Sequence, residues 1–334
     1  MISIGVIGFG YWGPNLVRNF MRQPGCIVKW VSDVRQSRLD FLIKDHPSIQ
    51  TTTDYLQVIN DANVDAVIIA VPVSLHYTLA KKALEKGKHV LLEKPMTSSV
   101  FEANKLIDLA SAKKKQLMVD HTFLYTGAVQ KIKSVIDSGE IGKINYFDST
   151  RVNLGLFQSD INVIWDLAPH DISILNYLVK ERPVSISASG ISHTKNKLEN
   201  IAYLTLFYQN NFIAHFSCSW SSPVKIRKIF IGGNRKMVLF DDVEPTEKVK
   251  IYDTGYSISN EEEKYKMLVD YRAGDIFIPK IEQREALESV AADFLSAITR
   301  GKTPISDSQS GLEVVKILEA ANKSIQRNGK EIKL

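Results

Sequence analysis

Cysteine is nearly absent. Cys26 and Cys218 are the only two in 334 residues, each inside an apolar, strand-like stretch, and no CxxC or Cys/His spacing suggests zinc. That excludes a disulfide framework and fits two buried thiols in a reducing compartment. Long hydrophobic runs are missing too. Ala66 to Val73 is among the longest, far short of a bilayer span. Met1-Ile2-Ser3-Ile4 leads into a strand pattern rather than a signal peptide, so the expected location is cytoplasmic, with no membrane partner. Internal repeats and low-complexity segments are also lacking. The net charge of +5 is spread along the chain, and its densest clusters, Lys113-Lys114-Lys115 and Lys86-Gly87-Lys88, fall where helical patterns end and cations suit the helix dipole. Aromatics do not interleave with a basic stripe, which argues against nucleic acid as a partner. A mild positive bias does suit a phosphorylated small molecule.

What is present is an ordinary globular composition, 44% hydrophobic and 24% charged, long enough for two domains. From residue 1 to 121 the pattern alternates apolar strands (2–7, 27–32, 66–71, 89–92, 116–120) with amphipathic helices (14–22, 35–44, 75–86, 99–114), which predicts an α/β, doubly wound parallel sheet. Residues 122 to 334 read as a second α/β domain. Strand patterns at 144–153, 184–190, 201–208, 212–220, 226–231, 237–241 and 249–252 predict a large, mostly antiparallel sheet, with turns at Gln209-Asn210-Asn211 and Gly232-Gly233-Asn234. Helices are expected at 128–138, 168–180, 284–300 and 309–327, the last packing back on the first domain. Residues 255 to 283, polar and tyrosine-rich, read as a long loop or cover.

The most informative motif is Gly8-Phe9-Gly10-Tyr11-Trp12-Gly13, which ends the first strand and opens a helix. In that context Gly8 permits the tight turn, Gly10 lets backbone approach a pyrophosphate, and Gly13 lets helix and strand lie close. The second strand ends in Asp33, 20 residues past Gly13, where a carboxylate can accept both ribose hydroxyls of NAD and repel the 2′-phosphate of NADP. Arg35 and Arg38 lie just beyond and could hold that phosphate instead, so NADP stays as the second cofactor choice. A glycine turn in an unrelated βαβ unit is the plain alternative.

Further along, Val71-Pro72-Val73-Ser74-Leu75-His76 stands at a strand's carboxyl end. Pro72 stops the strand, Ser74 can cap the next helix, and His76 is either a cofactor contact or a satisfied helix-start histidine. Glu93-Lys94-Pro95 ends the fourth strand and parks two charges where the sheet faces the crevice. Lys94 is a candidate acid or base, or else a surface lysine at a turn. In the second domain, Pro169 fits the first turn of a helix continuing through Ile172, Leu175 and Val179. That puts Asp166 just ahead of the turn and His170 inside it, where a helix N-terminus favours the neutral imidazole of a proton acceptor. Asp166 could instead be an N-cap and Asp171 a first-turn acid. Thr122, Arg151, Asn153, Asn162 and Trp165 are candidates for holding substrate, Arg151 above all for phosphate.

The order GFGYWG, Asp33, VPVSLH, EKP and Asp-x-x-x-His resembles the glucose-fructose oxidoreductase and inositol dehydrogenase (Gfo/Idh/MocA) family of NAD(P)-dependent enzymes over essentially the whole chain. GYWGPNLVRNF, HTFLY and WDLAPHDISIL resemble a branch of sugar-nucleotide oxidoreductases from surface-polysaccharide and amino-sugar pathways. The resemblance implies an N-terminal Rossmann domain, a second domain with a large mostly antiparallel sheet, and homodimers or homotetramers. It implies Lys94 orienting or protonating the reacting oxygen, His170 taking the hydroxyl proton and Asp166 beside it, with no metal. It also implies a hydride passed between nicotinamide and a secondary alcohol of a pyranose, C3 of a nucleotide-linked sugar being favoured. An NAD-assisted sugar lyase or glycosidase of the same fold and a non-enzymatic NAD or sugar sensor are the alternatives. Two departures stand out: Asn162-Val163-Ile164-Trp165 replaces a glycine-rich stretch frequent before the acid, and Thr126-Gly127 replaces a frequent Asn/Asp-Pro pair.

Overall fold

A computed structural model describes residues 1–155, 157–257, 270–272 and 274–334. Contacts divide the chain into two units, residues 1–125 with 284–316, and 126–283 with 317–334. In the first unit, β1 (Ile2–Ile7), β2 (Cys26–Ser32), β3 (Gln50–Thr52), β4 (Ala66–Ile69), β5 (His89–Glu93) and β6 (Leu117–Asp120) form one parallel sheet in the order 3-2-1-4-5-6. Val6, Val67, Ile68, Val90 and Leu91 are wholly buried, as expected of strands covered by helices on both faces. Helices α1 (Gly13–Met21), α2 (Gln36–Asp45), α3 (Tyr55–Asn60), α4 (His76–Glu85) and α5 (Val100–Ala112) make the crossovers. The pair β3 and α3 is an addition to the expected elements. Both are short, and Gln50-Thr51-Thr52 lacks the apolar run that marks its neighbours.

The helix Ala286–Arg300 packs in this unit, where Phe294 meets Phe20 of α1 edge-on at 6.3 Å. The Tyr125 hydroxyl donates to Asp293 Oδ2 at 2.8 Å and lies 3.0 Å from Ser306 Oγ. The unit thus gathers residues 284–316 from far along the chain, including the start of the helix Ser308–Gln326.

The second unit holds α6 (Gly127–Asp137), β7 (Ile144–Leu154), α7 (Val163–Leu178), β8 (Ser185–Ile191), β9 (Ile201–Phe207), β10 (Ile213–Ser219), β11 (Ser221–Gly233), β12 (Met237–Asp241) and β13 (Val249–Tyr252). With two short edge strands these make a nine-stranded sheet, antiparallel at every join except β7 with β10. Burial alternates along β9 and β10, so one face packs while the other stays open. The packed face carries Phe147 and Phe216, 5.7 Å apart on adjoining strands, and α7 lies over β7, β9 and β10. Burying each such ring contributes roughly 1.5–3 kcal/mol.

Two local expectations change here. Gly232 and Gly233 belong to β11, so the turn lies at Asn234 to Lys236, while Asn211 does take the left-handed conformation of a turn residue, with φ 55°. Cys26 is only half-buried, though burial still pushes its thiol up to about 12; Cys218 is fully buried. Of the segment 255–283, residues 258–269 and 273 lie outside the described residues. Among the described residues no helix is long and apolar enough to cross a membrane, and no group of metal-ligating side chains forms.

Candidate active site

The first unit presents three turns at the carboxyl ends of β1, β4 and β5. Gly8 takes φ +99°, and any Cβ there would run into the Ala70 carbonyl, so the turn requires glycine. A Cβ on Gly13 would come 2.6 Å from the Gly8 carbonyl oxygen, which is the close packing of α1 on the strand. On Gly10 it would meet nothing nearer than Arg35 Nη2 at 3.7 Å, leaving its backbone approachable. Helix α1 starts at Gly13 with no side-chain cap from Trp12; Pro14 has no N–H and the Asn15 and Leu16 amides donate to the Trp12 carbonyl oxygen, so of its leading amides the Gly13 N–H is the one left for a phosphate. Tyr11 is 86% exposed and lies edge-on to Trp12. These features fit the pyrophosphate of a dinucleotide.

Asp33 follows β2. Its Oδ2 accepts the Phe9 amide at 2.8 Å, and its Oδ1 accepts the Arg35 amide at 2.9 Å and Arg35 Nε at 3.1 Å. Burial opposes the charge, but the Arg35 and Phe9 bonds outweigh it and hold the carboxyl below the usual range. The acid is therefore ionised and tied to the glycine turn.

Two readings of the turn after β4 need correcting. Ser74 does not cap a helix: it sits in a single 3-10 turn, Val73–Leu75, and α4 begins at His76 behind Leu75 without a side-chain cap. His76 is no exposed cofactor contact. It is 1% exposed, with Nδ1 2.9 Å from the Pro95 carbonyl oxygen and Nε2 2.9 Å from that of Val71. Val71 and Pro72 stay at the surface of the turn.

Lys94 follows β5, and its peptide bond to Pro95 is cis. Glu93 pairs in register with Asp120 at the end of β6, so the charge expected of it is suppressed. Burial, and then the facing Asp120 carboxyl, raise Glu93 well above the ordinary carboxylate range, while burial lifts Asp120 to about 6. Thr122 donates its hydroxyl to Asp120 Oδ1 at 2.7 Å. His121, fully buried with neither ring nitrogen hydrogen-bonded among the described residues, is held neutral by burial and then by the Lys94 charge, its pKa about 3.

In the second unit, the helix expected from residue 168 starts five residues earlier, at Val163. Asn162 caps it, its Oδ1 accepting the Trp165 amide at 3.2 Å. Pro169 therefore sits inside the helix and removes one backbone donor, while buried Val163, Ile164, Ala168, Ile172 and Leu175 hold the helix together around it. Asp166 lies within the first turn rather than ahead of it. His170 lies a full turn further in, beyond reach of the helix-end dipole that was expected to keep it neutral. The two remain four residues apart on one face of α7. Trp220, which sequence reasoning missed, donates its indole N–H to Asp166 Oδ2 at 3.0 Å and packs beside Phe157, ring centres 5.5 Å apart.

Three substrate candidates prove to be structural. Arg151, 3% exposed, makes a bidentate pair with Asp171, Nε to Oδ2 at 3.0 Å and Nη2 to Oδ1 at 2.6 Å, and Ser149 adds its hydroxyl at 2.6 Å. A guanidinium so committed is not poised for a phosphate. Asn162, besides capping, donates to Glu199 at 2.8 Å and Asn322 at 3.0 Å. Thr122 spends its hydroxyl on Asp120. Asn153 Oδ1 and Trp165 Nε1, by contrast, are buried polar atoms with no hydrogen-bond partner among the described residues, so neither is committed to a structural bond.

Comparison with known proteins agrees with this layout. Residues 2–121 match the profile of an oxidoreductase family with an NAD-binding Rossmann fold, and residues 129–238 match the GFO/IDH/MocA C-terminal domain. The chain is 25% identical to the uncharacterized oxidoreductase YrbE of Bacillus subtilis over 256 residues, 73% of this chain and 75% of that one. It is 28% identical to a UDP-N-acetylglucosamine 3-dehydrogenase of Acidithiobacillus ferrooxidans over 256 residues, 76% of each. The crystal structure of such a dehydrogenase, GnnA from that organism, superposes with a TM-score of 0.81 at 22% identity, covering 98% of both chains. Alignments with two other oxidoreductases span 51% and 36% of their lengths. A dinucleotide turn and both domain profiles in one chain identify it as an oxidoreductase of the Gfo/Idh/MocA family with a nicotinamide cofactor.

Proposed function

We propose that the chain is an NAD-dependent dehydrogenase or ketoreductase acting on a secondary alcohol of a pyranose, at C3 of a nucleotide-linked sugar in surface-polysaccharide or amino-sugar synthesis. The Asp166–His170 pair on α7, with Asp166 gripped by Trp220, is the observation that carries the chemical part. The similarity to a UDP-N-acetylglucosamine 3-dehydrogenase supports the substrate part.

Bound NAD would supply the hydride acceptor, its pyrophosphate on the Gly8–Gly13 turn and its ribose diol on Asp33. The protein's work is on the proton. Loss of hydride leaves positive character at the carbinol carbon, so an imidazole nitrogen of His170 removes the hydroxyl proton as that charge grows. Asp166 orients the ring and stabilises the imidazolium, and the Trp220 N–H keeps the carboxylate in place. Lys94 Nζ polarises the sugar oxygen. Asn153 Oδ1 and Trp165 Nε1 are left to meet a donor and an acceptor on the sugar. The same reading takes the enzyme as cytoplasmic and as a homo-oligomer; the exposed Tyr203, Ile213 and Phe230 on the open face of the second sheet support the oligomer.

The test is absorbance at the NADH band with NAD and a panel of UDP- and dTDP-sugars. Steady growth with at least one is expected. Sugar cleavage without net NADH would favour the lyase or glycosidase reading, and binding without turnover the sensor.

A further inference from the structure

His76 is left without a cofactor role, yet its ring is among the most constrained in the first unit. It lies at the start of α4, 1% exposed, between two backbone carbonyls that belong to different turns, Val71 after β4 and Pro95 after β5, each at 2.9 Å. Val71 lies against the glycine turn, its Cγ1 2.9 Å from where a Cβ on Gly8 would stand, and Pro95 is bonded directly to Lys94. Both partners are acceptors, so either nitrogen contributes only by donating. Burial, and last the Lys94 charge, lower the ring's pKa against the Val71, Pro95 and Met96 backbone groups that raise it. A neutral ring has one N–H, so it fastens one carbonyl fully and packs against the other.

We propose that His76 is a positioning residue: seated between the Val71 and Pro95 carbonyls and donating its one N–H there, it fixes the turn carrying Lys94 against the end of β4. The proposal rests on the reading of Lys94 as the group that polarises the reacting oxygen. A carbonyl released at Pro95 frees the Pro95–Met96 peptide unit, one residue past Lys94, and small displacements of a positioned group cost turnover steeply. Dinucleotide affinity, resting on the glycine turn and Asp33, is largely spared.

Three measurements test it. In His76→Leu, which removes the donor, hydrogen exchange of the cofactor-free protein should rise at least tenfold at the Val73, Lys94 and Met96 amides and stay unchanged in β1. Turnover should fall at least tenfold with NAD affinity within threefold, and His76→Gln, which retains an N–H, should lie between. In a Lys94→Ala background, adding His76→Leu should cost less than a further twofold, since a residue acting through Lys94 has nothing left to position. Unchanged exchange in both variants overturns the bridge. Additive losses, or a loss of NAD affinity as large as that of turnover, overturn the positioning role. Should the Leu variant fail to fold, the Gln variant carries all three readings. A Lys94→Ala enzyme with normal turnover sinks the reading of Lys94 and the positioning role with it, and is distinguishable because the exchange measurement does not depend on turnover.

Discussion

The turns at the ends of β1, β4 and β5 and the helix α7 both carry candidate active-site groups, but they are built from different materials. In the first unit the backbone does the holding. Gly8 and Gly13 admit the close approach of main chain to main chain, Asp33 is fastened to the Phe9 amide, and His76 spans two carbonyls. In the second unit side chains hold side chains: Trp220 grips Asp166, Arg151 and Ser149 grip Asp171, and Asn162 reaches Glu199 and Asn322. A backbone site needs few residue types and binds what all dinucleotides share. A site of interlocked side chains can change with each partner, which is where a family with one cofactor and many substrates would put its differences.

The strongest way to break that contrast is to remove the proposed base. His170→Asn should lower turnover by ~10²–10⁴-fold with NAD affinity nearly unchanged, and abolish the fall in rate on the acid side that follows from an imidazolium being unable to accept a proton. Asp166→Asn should fold normally yet lose most activity, because an amide can hold the ring in the wrong tautomer. Turnover, with melting temperature as control, decides. Near-normal turnover in His170→Asn with an intact acid limb would move the proton acceptor elsewhere, with Lys94 first in line.

Next comes the ion pair. Arg151→Leu leaves Asp171 buried and uncompensated, so about 3–5 kcal/mol of stability should be lost in a urea titration, whereas a solvent-facing phosphate ligand could be removed at little cost. Leaving stability intact while raising KM for a nucleotide sugar would restore the original reading of Arg151.

These outcomes bear on what was legible beforehand. In the first unit the glycine turn and Asp33 could be read residue by residue, since a glycine turn between a strand and a helix has one backbone meaning and Asp33 stands at a fixed distance from it, whereas Ser74 and His76 could not. Where reading failed, the cause was side-chain partnership. Arg151 looked like a phosphate ligand because its mate, Asp171, lies 20 residues away on another element. Pro169 was taken for a helix start since proline is commonest there, although Asn162 followed by Val163, Ile164 and Ala168 carried both the cap and the apolar period of the true one. Trp220 gave no local signal at all, because only the fold brings it to Asp166.

A smaller effect separates the units by acid. His89, partly buried in the first unit, accepts the Gln116 amide at Nδ1 and, mainly through burial and then the Lys115 charge, is lowered to about 4. Above pH ~6.5 it is neutral whether folded or not. As pH falls from there toward 4 the unfolded chain takes a proton the folded one refuses, so stability is lost, by no more than about 3 kcal/mol. Asp120, raised to about 6, acts with the opposite sign over much of the same interval. The test is therefore the difference between wild type and His89→Gln, whose stability should fall less between pH 6.5 and 4. Identical slopes would mean that the imidazole is no more buried than in the unfolded chain.

The smallest effect concerns which dinucleotide the backbone site accepts, and it asks whether one side chain can discriminate there. Asp33 is ionised and faces the end of the glycine turn, so a ribose diol can donate to it while a 2′-phosphate meets like charge. Arg35 complicates this: its guanidinium lies on Asp33, with the side chain 52% exposed, and it could turn toward a phosphate. Against that move stands the loss of its bonds to the carboxylate it now neutralises. We expect NAD to bind at least tenfold more tightly than NADP, a difference of about 1.4 kcal/mol by calorimetric titration. Arg35→Ala should widen the gap, because the cation paired with the acid is then gone, and Asp33→Ser should close or reverse it by leaving Arg35 to the phosphate. If the wild type binds NADP as well as NAD and Arg35→Ala abolishes that binding, the arginine rather than the carboxylate sets the preference, and the cofactor assignment passes to NADP.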